Sequence, residues 1–410
     1  MTPEALFAAA CDRLLGANST EQVAVAASGG SDSTALLVLA CARLGPARIE
    51  AVSVDHGLRV EAADEIAQVA ALCASLGCGH TILRWDSWDQ SGNLQAEARA
   101  ARYRLMADWA QGPGIGMVLL GHTADDQAET VLMRLARGSG VDGLAAMQPL
   151  AMRDGVRWAR PLLDMTRDDL RAFLTARGIG WSEDPSNEDD GFDRIRLRQM
   201  MAELSKIGLS RDRLLQTADH MSRARDALRH ATLALAQQIT QQEAGDVIIE
   251  RTGFEAAPEE LQSRLLAAAL CFVSGHSYRP RFAPLRALIK AQAGTLHGAR
   301  LSSTRESLRV SREWAALRDI TCAPDMVFDG RWRLTGPARD GDHVRALGED
   351  GISALEDWRA AGLPRASLAA HPSVWRGNAL IAAPSAGQNL AWQAELVGNR
   401  ADFLAYLTPP

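Results

Sequence analysis

The hexapeptide Ser28-Gly29-Gly30-Ser31-Asp32-Ser33 constrains this chain more than any other stretch. It lies between two apolar runs, Val23-Ala24-Val25-Ala26-Ala27 and Thr34-Ala35-Leu36-Leu37-Val38-Leu39. The first run has the length of a buried strand. The second continues to Leu44, with Leu36, Leu39, Ala40 and Arg43 at helical spacing. The hexapeptide is therefore predicted to be a strand-to-helix turn. Paired glycines let the backbone take positive φ and approach a ligand closely. The helix start behind them offers unpaired N–H groups and the positive end of a dipole, which together favour a phosphate. Ser28, Ser31 and Ser33 add hydroxyl donors. A Gly-Ser turn capped by Asp32 is the plain structural alternative.

The turn lacks the Lys-Ser/Thr ending of the common phosphate loop and holds Asp32 instead. Phosphates repel a carboxylate unless a divalent cation lies between them. The expected ligand is thus a pyrophosphate group with Mg²⁺, as in cleavage of ATP between its α and β phosphates. The pattern Ser-Gly-Gly-x-Asp-Ser resembles the mark of the N-type ATP-pyrophosphatase superfamily. That superfamily includes asparagine, NAD and GMP synthetases and several tRNA-modifying enzymes.

Length and composition bound the rest. At 410 residues the chain is expected to hold two or three domains. No run of about 18 apolar residues is present, so no membrane span is expected. Met1-Thr2-Pro3-Glu4 has no basic region before an apolar one, so no secretory signal is expected either. None of Cys11, Cys41, Cys73, Cys78, Cys271 and Cys322 forms a Cys-x-x-Cys pair. The expectation is reduced thiols in a cytoplasmic protein, without a zinc or iron–sulfur site. A net charge of −6 argues against wholesale coating by nucleic acid but leaves room for a local basic face. Lys206 and Lys290 are the only lysines, so no lysine in the first two hundred residues can be a catalytic group.

Along the chain, strands alternate with helices. Helices are predicted at Pro3–Leu15 and Ala62–Leu76, and further strands at Ile49–Val54, His80–Leu83, Met117–Leu120 and Val156–Arg160. Such alternation implies right-handed crossovers and a doubly wound parallel sheet in an α/β domain over residues 1–205. Asp55 and His56 follow the second strand. Asp55 either faces the nucleotide crevice or caps its turn, and a lone His56 is ordinarily structural. Arg99, Arg102 and Tyr103 lie on adjacent turns of one helix. After the fourth strand comes Gly121-His122-Thr123-Ala124-Asp125-Asp126-Gln127-Ala128-Glu129-Thr130. Asp126 and Glu129 share a helical face at the crevice end of the sheet, a plausible Mg²⁺ site; the helix dipole alone also favours acids there. Trp181–Asn187 reads as a polar turn leading to Arg194, Arg196 and Arg198, where a helix begins. A mixed, mainly helical domain over 206–324 and a small β-rich domain over 325–410 complete the expected organisation.

With these residues assembled, the chain resembles the tRNA(Ile)-lysidine synthetase family of that superfamily. The matching pieces are Ser28–Ser33, Val54-Asp55-His56-Gly57-Leu58-Arg59, Gly92-Asn93 with Ala98-Arg99 and Arg102-Tyr103, Gly121–Thr130, Arg137-Gly138-Ser139-Gly140 and Asp184-Pro185-Ser186-Asn187. They cover about the first two hundred residues. Ile195 departs from the family, many of whose members have Asn there. The resemblance implies that ATP adenylates a carbonyl oxygen of the first anticodon cytidine and that the ε-amine of free L-lysine displaces AMP. It implies Asp32, Asp126 and Glu129 for Mg²⁺ and catalysis, and Ser28, Gly29, Gly30, Ser31 and Ser33 with Asp55, His56 and His122 for ATP. It further implies a tRNA(Ile) with a CAU anticodon as partner, with Arg194, Arg196 and Arg198 as tRNA contacts, and it allows a homodimer without a membrane partner. The rivals are a tRNA thiolase of the same superfamily and an ATP-binding sensor without turnover.

Overall fold

The structure is a computed structural model that describes residues 1–57, 62–85, 94–112, 114–183, 193–276 and 278–408. Leu58, Arg59, Gly92, Asn93 and residues 184–187 lie outside the described residues. The chain divides into two compact units, Met1–Arg225 and Asp226–Pro410.

The first unit is built on a six-stranded sheet. Its strands are β1 Val23–Ala26, β2 Ile49–Asp55, β3 Gly79–Arg84, β4 Met117–Leu119, β5 Leu150–Arg153 and β6 Val156–Ala159. Their spatial order is β3-β2-β1-β4-β6-β5. All pairings are parallel except that of β5 with β6. This is the expected doubly wound arrangement with an antiparallel edge. The edge hairpin turns at Asp154 (φ 53°) and Gly155 (φ 75°), an Asp-Gly pair suited to a two-residue turn.

The helices are α1 Pro3–Leu15, α2 Ser31–Leu44, α3 Ala62–Leu76, α4 Leu94–Gln111, α5 Ala124–Ala136, α6 Val141–Leu144, α7 Arg167–Thr175, α8 Asp193–Lys206 and α9 Arg211–Ile239. Helix α1 starts at Thr2, whose side chain caps it, with Pro3 at its first position. The bounds of α1 and α3 agree with those read from apolar spacing. Strand alternation supplies both sheet faces. Val23 and Val25 enter one core with Phe7, Leu36, Leu39 and Phe173. Ala24 enters the other with Tyr103, Met106 and Trp158. Full burial of each large apolar side chain contributes about 1.5–3 kcal/mol. A third cluster joins α5 to α8 and to the first turns of α9 through Val131, Leu132, Leu204 and Leu214.

The second unit holds an antiparallel five-stranded sheet that includes Asp246–Glu250, Ala299–Ser303 and Ser307–Arg312. It is covered by helix Glu259–Ser274, rich in buried Leu, Ala and Phe. A four-stranded and a three-stranded sheet follow from Thr321 onward. Asp246, 3% exposed, accepts hydrogen bonds from Arg309 (2.9 Å) and Ser367 (2.6 Å), so a buried charge ties the five-stranded sheet to the later segment.

Candidate active site

Sheet order fixes where a ligand can bind. From β1 the chain moves outward to β2 and β3, then crosses back to place β4 on the other side of β1. The carboxyl ends of β1 and β4 therefore flank a switch point, where open α/β sheets bind ligands. The turn after β1 and the start of α5 after β4 meet there. A Cβ on Gly121 would lie 3.1 Å from the Ser33 nitrogen and 3.2 Å from the Asp32 carbonyl. Any side chain there would push the two backbones apart by a few tenths of an ångström, so glycine suits this close packing.

The turn itself is held by its own side chains. The Ser28 N–H donates to Ser33 Oγ (3.2 Å), and Ser33 Oγ donates to the Gly30 carbonyl (3.0 Å). Gly29 sits at φ 88°, in the left-handed region, and its carbonyl accepts from the Ser182 N–H (2.9 Å). Gly30 ends the turn as the residue before α2, with no side chain to cap it. The first N–H groups of α2 thus face the switch point without a side-chain cap.

Helix α5 begins with a capping box. The Asp126 carboxylate accepts from the Thr123 N–H (2.8 Å) and from Thr123 Oγ1 (2.9 Å). Its other oxygen is 3.5 Å from Arg167 Nη2. Gln127 is structural: its amide exchanges two hydrogen bonds with the Met147 backbone (2.9 and 2.8 Å). Asp125 accepts from the Arg167 N–H (2.7 Å) and from Arg211 Nη1 (3.3 Å). Glu129 lies one turn further along α5 and is 3% exposed.

Arg167 is the residue that reading the sequence missed. Its Nε donates to Asp32 Oδ2 (3.0 Å), so one guanidinium spans Asp32 and Asp126. Burial works to lower the Arg167 pKa, but Asp32, Asp126 and Glu129 outweigh it and raise it. At Asp32 the balance runs the other way. Burial, with repulsion from Asp126, lifts its carboxyl above the ordinary range despite Arg167.

The cleft at the switch point encloses about 990 Å³. Ser28, Gly30, Ser31, Asp32, Ser33, His56, His122 and Asp126 line it, together with Arg102, Trp181 and Ser182. Asp55 caps the turn after β2, accepting from the Gly57 N–H (2.9 Å). The Nδ1 atoms of His56 and His122 are buried and without a hydrogen-bond partner among the described residues. Arg99 and Arg102 stand over the Tyr103 ring, 5.2 and 5.9 Å from its centroid. Arg194, Arg196 and Arg198 fall on α8, and their side chains lie outside the described residues.

His122 is neutral at physiological pH. Burial chiefly, aided by Arg160, pushes its pKa from 6.5 to about 3. Its ring protons are expected to show no titration by NMR between about pH 5 and 8, where an ordinary imidazole changes charge. Below pH 6.5 the unfolded chain takes up a proton that the folded chain refuses. This group then removes up to about 1.4 kcal/mol of stability per pH unit. His122→Asn is expected to flatten that acid limb.

The donor set suits a magnesium nucleotide. Mg²⁺ usually takes one or two carboxylates and completes its shell with water and substrate phosphates. Asp32 and Asp126 already share one cationic partner. Among the described residues no three Asp, Glu, His or Cys side chains converge as an all-protein cage.

Turn, switch point and acidic helix start together define a PP-loop protein that uses ATP, and a family model described as the PP-loop domain matches residues 3–204. A tRNA(Ile)-lysidine synthase of Ruegeria pomeroyi is 45% identical over 397 residues, covering 95% of this chain and 95% of its own. Synthases of the same name from Methylobacterium nodulans and Rhodopseudomonas palustris are 42% and 44% identical, covering 67% and 66% of this chain and 81% and 79% of theirs. The chain belongs to the tRNA(Ile)-lysidine synthase family.

Proposed function

We propose that this chain uses ATP to join free L-lysine to the first anticodon cytidine of an isoleucine tRNA with a CAU anticodon. The supporting observation is the close packing of Gly121 against Asp32 and Ser33, which sets the phosphate turn beside the acidic start of α5.

The chemistry has two steps. A cytidine carbonyl oxygen attacks the α phosphate of ATP, and pyrophosphate leaves. The lysine ε-amine then attacks the cytidine carbon, and AMP leaves with the carbonyl oxygen. Ser28, Ser31, Ser33 and the open N–H groups of α2 hold the pyrophosphate and offset its growing charge. Asp32 and Asp126 would hold Mg²⁺, which supplies further charge stabilisation on the phosphates. The ε-ammonium must lose one proton before it can attack, and the adduct sheds another afterwards. Asp32, Asp126 and Glu129, the carboxylates that the resemblance assigns to catalysis, are the proposed acceptors. Neutral His122 offers a hydrogen bond to the nucleotide without adding charge.

A second cavity of about 390 Å³ adjoins the cleft at Arg167. It is lined by Asp125, Glu129, Asp212 and Arg211. These charges complement the two ammonium groups and the carboxylate of free lysine. Arg194, Arg196 and Arg198 on α8 are assigned to tRNA phosphates, contacts that salt weakens. The protein is assigned to the cytoplasm; no helix among the described residues is long and apolar enough to cross a membrane.

The deciding experiment supplies purified protein with unmodified isoleucine tRNA, ATP, Mg²⁺ and labelled lysine. Label is expected in the tRNA, with AMP and pyrophosphate released only when tRNA is present. Release of AMP from lysine and ATP alone, with no label in RNA, would overturn the reading.

A further inference from the structure

Arg167 opens α7 directly after its capping residue, Thr166. A cation there stands at the positive end of the helix dipole, where acids are favoured. Something must hold it. Its main chain is fastened to α5 by the 2.7 Å hydrogen bond to Asp125. Its side chain, 19% exposed, places one nitrogen 3.0 Å from Asp32 and another 3.5 Å from Asp126. These contacts are single at each carboxylate rather than a two-pronged grip on one. The guanidinium thus links acids from two elements, as a divalent cation would. Among the described residues, Arg167 also is the one side chain that lines both the nucleotide cleft and the second cavity.

The same carboxylate oxygens cannot serve two cations fully at once. We propose that Arg167 is the resident counter-cation of Asp32 and Asp126, a positioning residue that keeps free divalent metal off the pair until nucleotide phosphates bring further ligands. Metal and nucleotide then bind with positive coupling, because either one helps to displace the guanidinium. Once displaced, Arg167 stands on the partition between the two cavities and can turn to phosphate oxygens. This inference rests on the assignment of Asp32 and Asp126 to Mg²⁺.

The test reads metal affinity and not turnover. Mn²⁺ binding to the full chain is followed by electron paramagnetic resonance, with and without α,β-methylene-ATP. In the unaltered protein the analogue is expected to tighten Mn²⁺ binding about tenfold or more. R167Q is expected to tighten nucleotide-free Mn²⁺ binding by about the same factor, and to reduce the coupling to the part that phosphate ligands supply directly. R167K keeps the charge but not the planar fork, and is expected to lie between, at about threefold. It stands in for R167Q if that variant does not fold. Unchanged nucleotide-free Mn²⁺ affinity in the folded variants overturns the role of Arg167. If Asp32→Asn abolishes Mn²⁺ binding in those same variants, the metal assignment survives that failure. If Asp32→Asn leaves Mn²⁺ binding unchanged in every background, the metal assignment falls and takes this inference with it.

Discussion

Replacing Asp32 with asparagine is expected to lower kcat for lysine transfer by roughly 10³-fold or more while leaving the fold intact. The side chain lies in the first turn of α2, accepts from Ser31 Oγ (3.1 Å) and pairs with Arg167. Asparagine keeps the shape and can still accept one hydrogen bond. What it loses is a negative charge beside the phosphates. That charge costs the nucleotide-free protein stability, because burial and Asp126 lift the Asp32 pKa above its ordinary value of 3.8. The folded state therefore holds this proton more tightly than the unfolded chain does. Stability falls as pH rises from the ordinary value through the raised one. Asp32→Asn removes that slope and is expected to change the unfolding free energy at neutral pH by no more than about 1 kcal/mol. Steady-state AMP release and a thermal melt across pH check both halves. A fully active variant would end the case for Asp32 as a catalytic carboxylate.

The second large effect is expected at Gly121. In Gly121→Val, the Cβ alone meets the Ser33 nitrogen at 3.1 Å and the Asp32 carbonyl at 3.2 Å. Both neighbours are backbone, so the turn itself must retreat. Overpacking of this kind costs about 1–3 kcal/mol of stability. If the valine methyl groups drive the reacting groups about 1 Å out of place, the loss in kcat/KM is roughly 10²-fold. Gly121→Ala makes the same first contact with less bulk and should lose less. Kinetics with ATP as the varied substrate, beside a melting curve, separate the two losses. Wild-type kinetics in Gly121→Val would show that the two segments need not touch for activity.

Much of the catalytic unit was legible because its signals are local. Apolar spacing fixed α1 and α3, and the glycine pair marked the turn after β1. The edge strand Leu150–Arg153 escaped notice because it is short and half exposed. Its Asp154-Gly155 turn was the available clue. Strand order could not be read, since the pairing of β1 with β4 is a contact between distant segments. Arg167 was missed for the same reason. Its partners lie 135 and 41 residues away in sequence, at Asp32 and Asp126. A cation in the first turn of a capped helix, against the dipole, was the faint local sign. Trp181, Ser182 and Glu183 looked like an ordinary polar turn and prove to form part of the cleft wall. A crevice acid and a turn cap have the same local sequence; at Asp55 the structure shows the cap contact with the Gly57 N–H.

The interleaved strand order also bears on how the protein is made. A ribosome releases β1 and its glycine turn long before β4, and β2 and β3 emerge in between. The opposing strand end emerges only with Leu120, the arginine bridge only with Arg167, and the last described stretch of the cleft wall only with Glu183. A nascent or prematurely terminated chain ending before Leu120 carries the phosphate turn without its opposing wall. Such a fragment lacks the lining that α5, Arg167 and Trp181–Glu183 contribute to the cleft.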